Sequence, residues 1–567
     1  MIRFDGNAGR LARGVAAGLM AGLFLAVWQR ALDAVAGRTA LSLLAFWAAA
    51  ASGLAAGGLL AWWPCLRVRR PDALKALAYL LLGCWLVAQL SALPVITGGW
   101  QRLLVDTGRT PAEVLLTIAK TAVFFCAVPC LLMGAAAQAA WQARRRRAAG
   151  ALGLAVPAAA ACSAALAAGA WAGRALAPAL GAEALTRLAA LGFGALCSLE
   201  VLTGGERRSA ARWAASVLPF LAVAGLMLLL PADGGRPVLC DGSFGRLVHR
   251  DSGFAMGRPV FEHVTRQHAV VAYDDADYQF VFALDGRPVL FGSRFHTART
   301  LTAYVPLLVR PKCEKAAVIG PEAGLYLPFF IRAGVKHVAV GGAERDVVKL
   351  ALATDAYVTG SDACEKAPVR FGAKLKSGAA YDVVLLAPEP VWERGAGAFA
   401  NRKLFARCRE ALADNGVAAL HLDARALSAG QFARLAGDFL SVFPGVQVWC
   451  TGANDWVLVG AADEIKTPAD HVLALFEKDA VFRDFLRAGG VALPEAFAGM
   501  LCDAGGLSKW LAGVKPESGW MAGWRAPLLA AAGAREAVQP ATLEGCRQWK
   551  AKWVLPGEMD VDVYVAL

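Results

Sequence analysis

The sequence predicts an α-helical membrane bundle of about seven spans, followed by a doubly wound α/β domain that opens with a small β-hairpin region. Three observations predict it. Of the 567 residues, 57% are hydrophobic and 18% charged, and the mean hydropathy is +0.47, which excludes an ordinary soluble enzyme. The formal charge of +13 is unevenly placed: residues 1–230 hold 21 of the 58 Lys+Arg and 8 of the 45 Asp+Glu, leaving 37 of each for residues 231–567. Long apolar stretches also stop at Pro231, after which short strands and then strand-helix alternation take over.

A bilayer core needs roughly 20 apolar residues of helix. Seven stretches meet that: Gly14–Asp33, Ala40–Trp63, Ala76–Ile96, Val114–Ala139, Ala148–Gly173, Ala184–Thr203 and Ala210–Leu230. The first is too long for a cleaved signal peptide and has no clear cleavage site. Gly14, Gly18 and Gly22, then Gly53 and Gly57, repeat every four residues, a spacing that lets helix backbones approach closely. Basic turns (Arg67, Arg69, Arg70 and Lys75; Arg144 to Arg147; Arg207, Arg208 and Arg212) alternate with poorer ones (Arg30 and Arg38; Arg102 and Arg109; Arg174 and Arg187). The positive-inside rule makes the basic turns cytoplasmic, along with Arg3, Arg10 and Arg13. Seven spans then put the second half outside a bacterial-type inner membrane. Arg30, Lys120 and Glu200 fall inside spans, where ionisable groups are costly. They are candidates for ligand binding or transport, weighed against snorkelling and local pairing. No inverted repeat is visible, which weakens a transporter reading with a regulatory soluble domain.

In the second half, residues 231–310 contain period-two segments at Ala269–Tyr273 and Tyr278–Leu284, read as hairpins. Residues 311–462 alternate. Strands are expected at Ala316–Ile319, His337–Val340, Asp382–Leu386, Gly416–Leu422, Val446–Thr451 and Asp455–Val459, with helices at Leu325–Ala333, Lys403–Asp414 and Ala429–Leu440. The strand, the turn Gly320–Gly324 and the following helix form a unit whose helix N-terminus can hold a nucleotide or nucleoside group. Residues 463–567 read as short amphipathic helices, Ala469–Phe476, Val481–Ala488, Pro494–Cys502 and Leu507–Val514, packing on the sheet. The balanced charge here argues against nucleic acid as partner. Thirteen cysteines without a CxxC pair, and histidines without HExxH, give no reason to expect a metal or a disulfide framework.

The order of motifs VWQRAL (Val27–Leu32), PCLLMGA (Pro129–Ala135), ALDG (Ala283–Gly286), AAVIGPEAG (Ala316–Gly324), YDVVLLAPEP (Tyr381–Pro390) and VFPGVQVW (Val442–Trp449) resembles spermidine synthase-like proteins with a multi-span N-terminal region. The resemblance implies a Rossmann-like, class I methyltransferase-type fold. It also implies transfer of an aminopropyl group from decarboxylated S-adenosylmethionine to an amine such as putrescine. By that resemblance Gly320 and Gly324 are the surviving glycines of the nucleoside loop, with Pro321, Glu322 and Ala323 between them, and Glu344 is the surviving ribose-side acid, Gly342 standing at the other acid's place.

The departures fall on the chemistry. The carboxylates that orient the amine and take its proton align with Ala387 and Pro390, leaving only Glu389 as a candidate base. Asp382 is kept but reads as structural. The amine-side residues align with Val289, Ala298, Thr300 and Tyr304, and the C-terminal acid with GWRAP (Gly523–Pro527). The expectation is therefore a spermidine synthase-like pseudoenzyme that binds a small molecule or membrane partner. The alternative is an active adenosyl-dependent transferase in which Glu344 and Glu389 are recruited, a decarboxylated S-adenosylmethionine-type nucleoside being the cofactor in that case only.

Overall fold

The computed structural model describes residues 7–67, 71–107, 111–147, 152–203, 210–230, 258–265, 268–274, 280–285, 287–291, 294–310, 312–359, 364, 367–373, 375–388, 393, 400–424, 427–452, 455–465 and 500–517. The chain divides into two units: residues 1–252, 262–270 and 284–287 in one, and 253–261, 271–283 and 288–567 in the other.

The first unit is helical: α1 (Asn7–Ala36), α2 (Ala40–Arg67), α3 (Pro71–Thr107), α4 (Pro111–Ala122), a π-turn (Val123–Ala127), α5 (Val128–Arg147), α6 (Leu152–Thr203) and α7 (Ala210–Leu229). Six candidate spans are long and apolar enough to cross a membrane, α4, the π-turn and α5 making one of them. The expected small-residue packing is present. A Cβ on Gly22 would be driven into the Leu166 carbonyl, and one on Gly57 into the Leu131 carbonyl, so glycine sets how closely these backbones approach.

The 52-residue α6 is one element but not one rod. Gly14 and Gly18 lie against Cys162, and Gly173 against Leu23 and Ala26, so the first arm of α6 runs parallel to α1. Met20 lies against Gly192 and Arg13 against Glu200, so the second arm runs antiparallel to it. In a straight helix residues 162 and 200 would be about 57 Å apart, yet their neighbours in α1 are consecutive. The chain therefore turns back between Arg174 and Gly192. The apolar stretch assigned to Ala148–Gly173 is thus the first arm from Leu152 onward, and Glu183–Thr203 lies in the second.

One end of the bundle gathers Arg13, Lys75 and Glu200, and Arg212 Nε donates to Val201 O there at 3.1 Å. At the other end Arg174 donates to Gln29 Oε1 at 3.3 Å. Exposed Trp62, Trp63, Trp141 and Trp213 lie toward the basic end, and exposed Trp47 and Trp171 toward the opposite one, as interfacial aromatic belts do.

A four-stranded sheet follows, in the order β1 (Arg258–Val264), β2 (Ala269–Asp274), β3 (Phe280–Leu284), β4 (Arg287–Phe291). Next come α8 (Arg294–Val309), β5 (Lys315–Ile319), α9 (Leu327–Arg332), β6 (His337–Gly341), α10 (Arg345–Thr359), β7 (Val369–Phe371) and β8 (Tyr381–Leu386). The described chain continues with α11 (Arg402–Ala411), β9 (Leu412–Asp423), α12 (Ala429–Leu440), β10 (Gly445–Gly452), β11 (Asp455–Ala461), β12 (Met500–Asp503) and α13 (Ala504–Ala512).

The eight strands from β5 onward form one sheet, ordered β12-β10-β11-β9-β8-β5-β6-β7. Pairing is parallel from β7 across to β9, and β11 is antiparallel to both β9 and β10. Counting from β5, the order is 3-2-1-4-5-7-6-8, with the seventh and eighth strands reversed. Phe405, Phe432, Phe439, Phe443 and Trp456 fill one side of it, fully buried.

Two expectations are corrected. Of the helix expected at Pro494–Cys502, the described residues Met500–Cys502 are instead strand, on the edge of β10, since an unpaired strand edge offers hydrogen bonds that local propensity cannot match. The helix expected at Leu325–Ala333 is broken into a 3-10 turn at Ala323–Leu325 and the six-residue α9. The helices expected at 469–476 and 481–488 lie outside the described residues.

Candidate functional site

The C-terminal ends of β5, β6 and β8 meet at one edge of the sheet, the usual place for ligands in such folds. Gly320 leaves β5 at φ +137°, and its N–H donates to Gly341 O at 2.8 Å. A Cβ here would be driven into the Ala387 carbonyl, while Ala387 N–H donates to Ile319 O at 2.8 Å. Glycine is therefore required by the backbone alone. At Gly324 a Cβ would come within 3.0 Å of Val348 Cα and 3.1 Å of Ala351 Cβ, so this glycine seats the turn on α10. Both glycines have packing reasons independent of any ligand.

Glu344 sits just before α10, half-buried, and its carbonyl accepts from Val348 N–H at 3.1 Å. It shares the edge with Gly320 through the β5–β6 pairing. Glu389 lies outside the described residues, as do the Gly523–Pro527 segment and Pro390. Ala387 is fully buried, as are Thr300 and Tyr304 of α8. Glu322, in the middle of the glycine turn, is 2% exposed, so this carboxylate is turned into the protein. Asp382 accepts from Glu314 N–H at 2.9 Å and Lys315 N–H at 3.0 Å, and pairs with Arg310 at 3.4 Å, which fixes the start of β5 to β8 away from the edge.

One buried chain carries no signal in the sequence. The Tyr326 hydroxyl is 3.0 Å from His421 Nδ1, and His421 Nε2 is 2.8 Å from Asp455 Oδ1. With a neutral imidazole and an ionised Asp455, Nε2 donates to the carboxylate and Nδ1 accepts from the Tyr326 hydroxyl. Nearby, the Thr302 and Thr451 hydroxyls are 2.9 Å apart. The phenol end of the chain is fully buried, so it ties the turn before α9 to β9 and β11 instead of presenting a base to a substrate. Burial raises the thiols of Cys313 and Cys408 to about 12 and of Cys364 to about 11, with Asp382 adding to the rise at Cys313. They are neutral at pH 7 and poor nucleophiles. Among the described residues no group of three or more His, Cys, Asp or Glu could hold a metal.

In the helical unit, Glu200 is 2.6 Å from Lys75 Nζ and 2.9 Å from Arg13 Nε. Arg30 donates to Thr265 O at 3.1 Å, and Lys120 lies on an exposed face. The three do not converge. Arg30 belongs to a cluster missed from the sequence, in which His268 Nδ1 meets Asp285 Oδ2 at 2.8 Å, Arg38 approaches the same carboxylate at 3.7 Å, and Ser42 donates to Asp33 at 3.1 Å.

No family model matches the chain, and no curated protein matches it. Among solved structures, a spermidine synthase in complex with the transition-state analogue AdoDATO is similar at 17% identity with a TM-score of 0.32. The spermidine synthase from Thermotoga maritima is similar at 16% and 0.33, and each comparison covers 40% of this chain and 79% of the other.

Proposed function

We propose that this chain is an integral membrane protein whose α/β domain keeps an aminopropyltransferase-like, class I methyltransferase-type fold without the transfer chemistry. In this reading the domain binds a small molecule or a membrane partner. The observation that carries it is the end of β8. The position where the resemblance puts the first catalytic carboxylate is Ala387, fully buried, with its backbone packed against Gly320. A buried carboxylate there would need partners for its charge, and a proton acceptor must reach the amine. The 3-2-1-4-5-7-6-8 strand order supports the fold part of the reading. The pairing of Glu200 with Arg13 and Lys75, and of Arg30 with Thr265 O, supports packing roles over transport.

A second reading, an active adenosyl-dependent transferase, is favoured by one observation: Glu344 stands half-buried at the end of β6, where a ribose-binding acid belongs. The test is the full-length protein in lipid nanodiscs with decarboxylated S-adenosylmethionine and putrescine. No spermidine above background is expected, and Glu389→Gln should change nothing. Product formation that Glu389→Gln abolishes would establish the second reading and overturn the first.

A further inference from the structure

The helical unit contains a place where hydrogen-bonding capacity is left over in the bilayer core. At the π-turn Val123–Ala127 the fourth span abandons its regular ladder; such turns recur at functional sites. Gln89 of α3, 2% exposed, reaches across and donates Nε2 to Phe124 O at 3.4 Å and Phe125 O at 3.2 Å. That use of the amide nitrogen fixes which end of the side chain is which, and it leaves Oε1 buried with no hydrogen-bond partner. On the other side of Phe125 stands Trp28 of α1, 1% exposed, its ring 5.3 Å from the Phe125 ring. Trp28 Nε1 is likewise buried without a partner, as is Trp85 Nε1, one helical turn before Gln89. An orphan acceptor on Gln89 and an orphan donor on Trp28 therefore flank one distorted turn, in a medium with no bulk water to satisfy them.

We propose that this turn is a binding site for an apolar molecule carrying a hydroxyl group. A hydroxyl is the smallest group that answers both needs at once: its O–H donates to Gln89 Oε1 while its oxygen accepts from an indole N–H. The apolar body is set by the surroundings, Phe24, Phe125, Cys126 and Leu86 being buried there. Entry from the bilayer is set by Val123, which is 52% exposed on the outer side of the same turn. The inference does not rest on the proposed function of the α/β domain.

The test uses the full-length protein in lipid nanodiscs, a photoreactive diazirine derivative of an alkylphenol, and peptide mapping by mass spectrometry. Labelling is expected on peptides containing residues 85–89 and 123–127, and excess 2,6-diisopropylphenol should compete it away. Trp28→Phe keeps the ring packing and deletes one donor; Gln89→Leu deletes the acceptor. Each should lower the labelling there about tenfold, the effect of one buried hydrogen bond, while labelling elsewhere stays unchanged. Trp28→Phe keeps the inference testable if Gln89→Leu fails to fold. The inference is overturned if the turn is not labelled, or if labelling survives 2,6-diisopropylphenol or Trp28→Phe undiminished, as it would were the orphan groups satisfied by a resident water.

Discussion

Charge placement separates the ionisable residues of the helical unit by role. Glu200 is 3% exposed and holds two cations, Arg13 and Lys75, that are themselves nearly buried. Removing it leaves both without their carboxylate, and removing one member of a buried ionic group is far more costly than never having built it. Glu200→Leu should destabilise the helical unit by about 3 kcal/mol, read from thermal or denaturant unfolding in detergent. Lys120→Leu, on an exposed face, should leave stability unchanged; equal losses for the two would contradict these roles. In the α/β unit, Gly320→Ala forces a Cβ into the Ala387 carbonyl at φ +137°. It should cost about 2–4 kcal/mol, measured as lost protease resistance of the domain whether or not ligand is present. The glycine spacings were legible in the sequence because close approach selects glycine itself. The Tyr326–His421–Asp455 chain was not, since its members are 95 and 34 residues apart and only the folded sheet aligns them.

Elements were legible where local chemistry and tertiary demand agree. α12 begins where expected because Ser428 and Gln431 form a reciprocal capping box. The parallel strands were visible as short apolar runs because both of their faces are covered. Disagreement arises where the tertiary term wins, as at Met500–Cys502, whereas the turn expected around Arg174 and Arg187 is where α6 folds back. The folded-back α6 makes a test that a rod cannot satisfy. In one variant carrying Gly14→Cys, oxidation should join the new residue to the native Cys162. In another carrying Met20→Cys and Gly192→Cys, a second bridge should form. Mass spectrometry of the cross-linked peptides decides: both bridges are expected within single chains, and absence of the second would mean that the two arms do not both flank α1.

For the whole molecule, the fold class followed from composition and periodicity, while chemistry depended on positions that the resemblance places at Ala387 and Pro390. The side of the membrane is the property that most constrains what the α/β domain can meet. Six candidate spans are long and apolar enough to cross; if the first arm of α6 crosses as well, α7 leaves the basic end, marked by Arg13, Lys75 and Arg212, and finishes at the other. On that count, and with the basic end taken as cytoplasmic by the positive-inside rule, the number of passes decides the side of the α/β domain. The C-terminus is then expected outside, where an adenosyl nucleoside would not be supplied. Paired reporter fusions after Leu567, one active only in the cytoplasm and one only outside it, read this directly. Signal from the outside reporter alone is the expected result and directs the ligand search to molecules of the cell envelope. Signal from the cytoplasmic reporter alone would require an even number of passes and would return the transferase reading, with Glu344 at the ribose, to first place.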